Sequence, residues 1–267
     1  MENNFPRIMV KNMVQYFMKL IITYGGEIIM SEANMAGLHV KDYHIYLFSK
    51  AMKYLGNKDL SIAEIGCGAG VPLKYFISFL EKHGYNILNV YAFDIDMKYK
   101  EFFNRENIKF YRIDINKDKL PIRDNSIDVI IATEIIEHLL IPENLLSESY
   151  RVLKLGGLLL LSTPNIRRWV NILLLIAGFN PLTLDVGYYE NYGQPKKYPT
   201  AGHIRGFTPR NLKHMLRAFK FEIMDLKTIP HPNRRFKLID KIPSMLGLGY
   251  WICCCARKGR ENELAKA

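Results

Sequence analysis

The chain has 267 residues, 49 % of them apolar, and a formal net charge of +11. That length suits one large domain with appendages, and the apolar share excludes wholesale disorder. The four cysteines, Cys67 and the run Cys253, Cys254 and Cys255, lack paired C-x-x-C spacing, which excludes a disulfide framework and a zinc ribbon and points to a reducing cytoplasm.

The basic excess favours acidic partners such as RNA, anionic lipid or a phosphorylated substrate, and says nothing of the fold. No stretch reaches the ~18 uninterrupted apolar residues of a membrane span. The start, MENNFPRIMV, lacks a basic stretch followed by an unbroken apolar one, so no signal peptide is expected.

Residues 7–24 are predicted as an amphipathic helix. Lys11, Asn12, Gln15 and Lys19 share one arc, with Met13, Phe17, Leu20 and Ile21 elsewhere. A second helix spans 42–55 and stops at Gly56-Asn57. From Leu60 the rhythm becomes strand, loop, helix. Strands are expected at 60–65, 88–93, 108–113, 127–132 and 158–162, and helices at 72–82, 97–105 and 142–154. Residues 165–205, rich in aromatics and proline turns, read as an insertion over the strand ends. A helix at 209–219, capped by Thr208, and strands at 221–227 and 250–256 close the pattern. Strands apolar on both faces that alternate with helices imply an α/β fold, a parallel sheet covered on each side.

The loop after the first strand, "AEIGCGAG", decides which ligand this sheet holds. It has no Gly-Lys-Ser/Thr ending, which excludes a phosphate-binding P-loop. Counted from Gly66, the sixth position is Val71 and not glycine, which argues against a dinucleotide site and an NAD-dependent oxidoreductase. Glu64 precedes the glycines; it would repel a pyrophosphate and attract an ammonium group. Asp94, at the end of the second strand, is placed to accept hydrogen bonds from ribose hydroxyls. Asp114, ending the third, suits an adenine amino group. Together they describe a nucleoside with an amino-acid tail and no phosphate.

"AEIGCGAG", "YAFDID", "FYRIDI", "LPIRDNSIDVIIATEIIEHL" and "RVLKLGGLLLLSTPN" resemble, in order, the motifs of class I S-adenosylmethionine-dependent methyltransferases. Within that class the chain is similar to the ubiquinone-biosynthesis O-methyltransferases. The resemblance implies a Rossmann-like three-layer sandwich. Its seven-stranded sheet is mostly parallel, with the last strand antiparallel, and N-terminal helices and an inserted lid are added. It implies that Glu64, Gly66, Gly68 and Gly70 line the methionine half of S-adenosylmethionine, with Cys67 a small filler of that loop. Asp94 would hold the ribose, Ile95 cover the adenine, Asp114 with the Ile115 amide read its edge, and Thr133 lie near the sulfonium. The expected organisation is a helical cap at 1–58, a cofactor-binding core at 59–164, a substrate lid at 165–205 and the rest of the core at 206–267.

"TEIIEHL" sets Glu134, Glu137 and His138 at i, i+3 and i+4, on one face if the turn is helical. With His203 from "AGHIRGF" they form a candidate site for Mg²⁺ or Mn²⁺. This is similar to the metal site of small-RNA 2′-O-methyltransferases. Without a metal, His138 is the candidate general base.

No Asn/Asp-Pro-Pro-aromatic sequence follows the fourth strand and no Pro-Cys pair is present, so an oxygen acceptor is favoured over an exocyclic amine or cytosine C5. Trp169, Tyr188, Tyr189, Tyr192 and Tyr198 with Arg167, Arg168, Lys196 and Lys197 would form the acceptor's surroundings. A small molecule or a lipid- or saccharide-linked acceptor is preferred over RNA. Peripheral membrane contact through the first helix and residues 172–177 is an open alternative to a wholly cytoplasmic life. A non-catalytic binding protein of the same fold is the rival of another class; it would be expected to lose Asp94 or the glycine loop, and both are intact.

Overall fold

The computed structural model describes residues 40–193, 200–231 and 234–259. The predicted helix at 7–24 and the side chains of Lys196, Lys197 and Tyr198 lie outside the described residues.

Helix α1 (Asp42–Tyr54) leads into β1 (Asp59–Ile65), α2 (Val71–Lys82), β2 (Asn86–Asp94), a 3₁₀ turn (Met97–Tyr99), α3 (Lys100–Arg105), β3 (Lys109–Arg112) and β4 (Ile127–Thr133). A second 3₁₀ turn (Ile136–His138) precedes α4 (Pro142–Val152) and β5 (Leu153–Pro164). Then come α5 (Trp169–Ile176), α6 (Pro209–Ala218), β6 (Phe221–Ile229), α7 (Arg234–Met245) and β7 (Trp251–Lys258).

The strands form one sheet in the order β3-β2-β1-β4-β5-β7-β6. The first five are parallel, and β7 runs antiparallel to both β5 and β6. The order reverses between β1 and β4, and open α/β sheets bind ligands at the carboxyl ends of the strands flanking such a reversal.

The core has two halves because successive side chains leave a strand on opposite faces. Ile130, Ala132, Leu159, Leu161 and Cys254 pack with Leu145 and Leu146 of α4 and Leu212 and Leu216 of α6. Val129, Ile131, Leu158, Leu160, Cys253 and Cys255 pack on the other face with Leu47 and Phe48 of α1, Phe76 of α2 and Phe103 of α3. The cysteine run is therefore core filling. Burial pushes the thiols of all three up, that of Cys255 to about 12, which leaves them unreactive. Helix α1 belongs to the layer over the sheet: Lys50 lies 2.5 Å from Asp225 of β6, and Tyr46 donates a hydrogen bond to the same carboxylate.

Three elements depart from expectation, the first being α5, a helix within the insertion at 165–205 where none was expected. The segment at 97–105 divides into a 3₁₀ turn, capped by Asp96 through Lys98 N–H, and the short α3. Helix α7 was not anticipated; it contains Pro243, which reads as a helix breaker, and it turns apolar residues outward.

Replacing Leu160, buried at the centre of the sheet, with alanine is expected to lower the unfolding free energy by about 2–5 kcal/mol. The exposed Leu155 on the same strand should change it by less than about 0.5 kcal/mol on the same substitution. Denaturant titration of the two variants checks the difference.

Candidate active site

The carboxyl ends of β1, β2 and β4 enclose a cavity of about 330 Å³. Gly66, Asp94, Ile95, Asp114, Ile115, Glu134 and His138 line it, with Phe93, Asn116, Ile135 and Leu139 among the others. Seven of the residues singled out in the sequence thus meet at one place.

The glycine loop is held by β2. The amides of Gly66 and Cys67 donate to the Phe93 carbonyl at 2.8 and 3.0 Å. Gly68 N–H donates to Asp94 Oδ2 at 2.8 Å, and Asp96 N–H donates to Oδ1 at 2.9 Å. Gly70 opens α2 with φ +69°, and a Cβ there would lie 2.4 Å from the Phe103 ring, so only glycine fits. At Gly68, by contrast, a Cβ would meet nothing within 4 Å, so this stretch of backbone faces open space. Cys67 turns into the core beside Leu73. Glu64 is buried, its Oε2 lacks a hydrogen-bond partner, and burial with the nearby Asp94 pushes its carboxyl well above the ordinary range.

At the other end, Asp114 Oδ1 accepts from the Asn116 amide and side chain at 3.1 and 3.0 Å, which holds its carboxyl below the ordinary range. Asn116 Oδ1 in turn accepts from the amides of Leu140 and Ile141, and Asn144 Nδ2 donates to the Ile115 carbonyl. Asp114 therefore shapes its own loop as well as lining the cavity. Ile95 stands exposed at the rim.

The acidic and histidine group is rearranged relative to the helical expectation. Only Ile136–His138 form a turn, and Glu134 precedes it with φ +54°. Its carboxylate is directed back to the sheet, where Oε1 accepts from Ser162 at 2.9 Å and Oε2 from Trp251 Nε1 at 2.8 Å. Glu134 is thereby removed from the expected four-membered metal set. Glu137, His138 and His203 do converge, with one ligand atom of each within 4.8 Å of the others. Glu137 is buried; Oε2 accepts from Thr163 at 2.9 Å and Oε1 has no hydrogen-bond partner. Burial and the charge of Glu134 push its carboxyl well above the ordinary range.

The loop at 201–203 sets the His138 ring. Asp185 Oδ2 accepts from the amides of Ala201, Gly202 and His203 at 2.8, 2.6 and 3.0 Å. That loop presents the Gly202 carbonyl 3.0 Å from His138 Nδ1. A carbonyl only accepts, so Nδ1 carries the proton and neutral His138 has its lone pair on Nε2. Burial draws the His138 pKa below its ordinary value, against the opposing pull of Gly202 and Asp185.

Thr133 lies at the end of β4, and its hydroxyl meets His44 Nε2 at 3.3 Å. His44 Nδ1 accepts from Lys41 N–H at 3.0 Å, so Nε2 carries the proton and donates to Thr133.

Residues 40–226 match the family model described as a methyltransferase domain. The chain belongs to the class I S-adenosylmethionine-dependent methyltransferases. A probable S-adenosylmethionine-dependent methyltransferase of Mycolicibacterium smegmatis is 29 % identical over 141 residues, which is 50 % of each chain. The ubiquinone/menaquinone biosynthesis C-methyltransferase UbiE of Campylobacter jejuni is 30 % identical over 115 residues, 41 % of this chain and 47 % of the relative. The chain thus spans about half the length of the curated relatives it matches. Among solved structures, an S-adenosylmethionine-dependent methyltransferase from Mesorhizobium loti superposes with a TM-score of 0.51 at 15 % identity, over 78 % of this chain and 96 % of that one. A cyclase, SpnF, reaches 0.53 at 16 % identity over 81 % and 80 %. Both likenesses concern the fold.

The residues present fit the cofactor that the family implies. Glu64 supplies a buried carboxylate oxygen with no partner, Gly68 an open stretch of backbone, and Asp94 a fixed carboxylate at the cavity wall. The sequence reading missed His44, Ser162, Thr163, Asp185 and Trp251. A histidine among the apolar residues Tyr43, Leu47, Phe48 and Ala51 of one helix face was the available signal for His44.

Burial, helped by Lys41, lowers the His44 pKa from 6.5 to about 3. An unfolded His44 gains its proton below 6.5 and the folded one only below about 3, so folding is opposed increasingly as pH falls through that window. Unfolding free energies measured from pH 6 to pH 4 should fall more steeply for the native chain than for His44→Gln, by up to about 1.4 kcal/mol per pH unit.

Proposed function

We propose that the chain transfers the methyl group of S-adenosylmethionine to an oxygen of a small or lipid- or saccharide-linked acceptor, with His138 as general base. One observation carries this reading: His138 lines the cavity with Nδ1 committed to Gly202, which leaves Nε2 as the basic atom. Its lowered pKa keeps the ring neutral near pH 7, the state a base requires.

In this reading Glu64 accepts the ammonium end of the cofactor and Asp94 the ribose hydroxyls. Ile95 covers the adenine, while Asp114 and the Ile115 amide meet its edge. When bound, the cofactor supplies an electrophilic methyl group on a sulfonium. The protein's part is to align an acceptor with that methyl and to take the acceptor's proton at His138 Nε2. Asp185 acts as a positioning residue, since it holds the loop that fixes the imidazole.

A second reading places a divalent ion on Glu137, His138 and His203, supported by their convergence and by the unpartnered Glu137 Oε1. Bonds of about 2.1 Å put opposite ligands about 4.2 Å apart, so the group would have to contract slightly. Such an ion would lower the pKa of an acceptor hydroxyl. Turnover that survives chelation favours the base; turnover lost on chelation and restored by Mn²⁺ favours the ion. An RNA acceptor is the alternative substrate. Incubation with methyl-labelled cofactor and separate phenolic, polyprenyl, saccharide and RNA pools distinguishes them, and the linkage of the label to oxygen or carbon tests the chemistry.

Glu64→Gln and Asp94→Ala should each weaken S-adenosylmethionine binding by about 10- to 100-fold, the usual loss of a hydrogen bond to a charged group. Calorimetric titration of the folded variants checks this, and unchanged affinity in both would remove the cofactor assignment. His138→Ala should leave that affinity within about twofold and reduce kcat about 100- to 10,000-fold.

A further inference from the structure

We propose that α5 and α7 form a docking surface for an anionic lipid bilayer. Helix α7 is amphipathic in the inverse sense. Its inward residues include Asp240 and Ser244, both buried, while Leu238, Ile239, Ile242 and Met245, followed by Leu246, stand outward with exposures from 50 % at Ile239 to 79 % at Leu238. The polar side is fully engaged. Asp240 accepts from Trp169 Nε1 at 2.5 Å and from the His231 amide at 2.9 Å, and Arg168 lies 3.7 Å away. Ser244 donates to the Asp240 carbonyl at 2.6 Å, and Thr228 of β6 donates to the Ser244 carbonyl at 2.7 Å.

Helix α5 repeats the arrangement. Asn171 is buried and bonds to Thr183 and to the carbonyls of Asn165 and Ile166. Ile172, Leu175 and Ile176 are exposed, the last two at 55 % and 65 %. Trp169 and Arg168 at the start of α5 grip Asp240 in the middle of α7, so the two helices are stitched together. In water an apolar row of this size remains outward only where something apolar covers it.

Charge selects the occupant. By sequence α7 holds four basic residues, Arg234, Arg235, Lys237 and Lys241, against one acidic residue, Asp240, which is buried and paired, and Lys241 is exposed. A second copy joined through α7 would set two helices of strongly basic sequence against each other across a two-fold axis. The segment at 7–24 carries Arg7, Lys11 and Lys19 and no acidic residue, so it repels the face in the same way. An anionic headgroup layer complements the cations, and its acyl boundary takes the apolar row. No helix among the described residues is long and apolar enough to cross a membrane, so the contact is interfacial. The surface serves a soluble or a lipid-linked acceptor alike, and the proposal does not depend on the chemistry assigned to His138.

The test is co-sedimentation of the full chain, without cofactor, with phosphatidylcholine vesicles and with mixed phosphatidylcholine–phosphatidylglycerol vesicles. Sedimentation with the mixed vesicles only, weakened by salt and reduced at least about tenfold in the double variant Ile242→Asp, Met245→Asp, is the expected result. Unchanged S-adenosylmethionine affinity and melting temperature certify that variant's fold; if it fails to fold, Lys241→Glu should reduce the same binding. Failure to bind mixed vesicles overturns the proposal. So does binding that the substitutions leave unchanged, or a dimer in light scattering that the double variant dissolves.

Discussion

The hydrogen bond from Gly68 N–H to Asp94 Oδ2, 2.8 Å long, ties the loop after β1 to the tip of β2, and the rest of the site is arranged around that tie. Parallel neighbours bring these two ends together at one edge of the sheet. The Phe93 carbonyl takes two more amides from the same loop, so the turn is made by backbone groups and needs glycine for its geometry. Asp94 is thereby placed at the cavity wall before any ligand arrives. A carboxylate already oriented by two amides loses little freedom when a ligand adds further donors, which is the advantage of preorganisation.

Burial holds the acids and the imidazoles around this edge alike toward their neutral forms. Glu64 and Glu137 are buried with an oxygen unpartnered in each, and the nearby histidines His44 and His138 are both held toward the neutral form by burial. The same neutrality that unfits these rings as counter-ions gives His138 its proposed part as a base. Glu134 stands apart in function. Its left-handed backbone turns the carboxylate onto Ser162 and Trp251, so it braces the ends of β4, β5 and β7. Asn165, at the end of "STPN", performs a comparable service by tying the end of β5 to the turn before β7, with Nδ2 on the carbonyls of Gly247 and Gly249.

Much of this was legible in the sequence because the signals were local. The glycine loop, Asp94 and Asp114 each follow a short apolar strand, and strand ends in a parallel sheet lie along one edge without further information. The antiparallel last strand followed from the family resemblance. What escaped was what depends on distant partners. His44 meets Thr133 across 89 residues, and Trp251 meets Glu134 across 117; no periodicity reports such a meeting. The face shared by Glu134, Glu137 and His138 assumed a helix, and a positive φ at Glu134 replaced it with a single 3₁₀ turn. Helix α7 hid for a local reason: Pro243 stands inside it, and proline reads as a helix stop.

Amide hydrogen exchange at Gly68 in the unliganded protein tests the tie to Asp94 most directly. The account predicts slow exchange in the native chain. In Asp94→Ala it predicts acceleration of at least about tenfold at Gly68, with the amides of β1 unaffected, as expected for one lost hydrogen bond to a charged acceptor. Fast exchange at Gly68 in the native chain, or an unchanged rate without the Asp94 carboxylate, would contradict it.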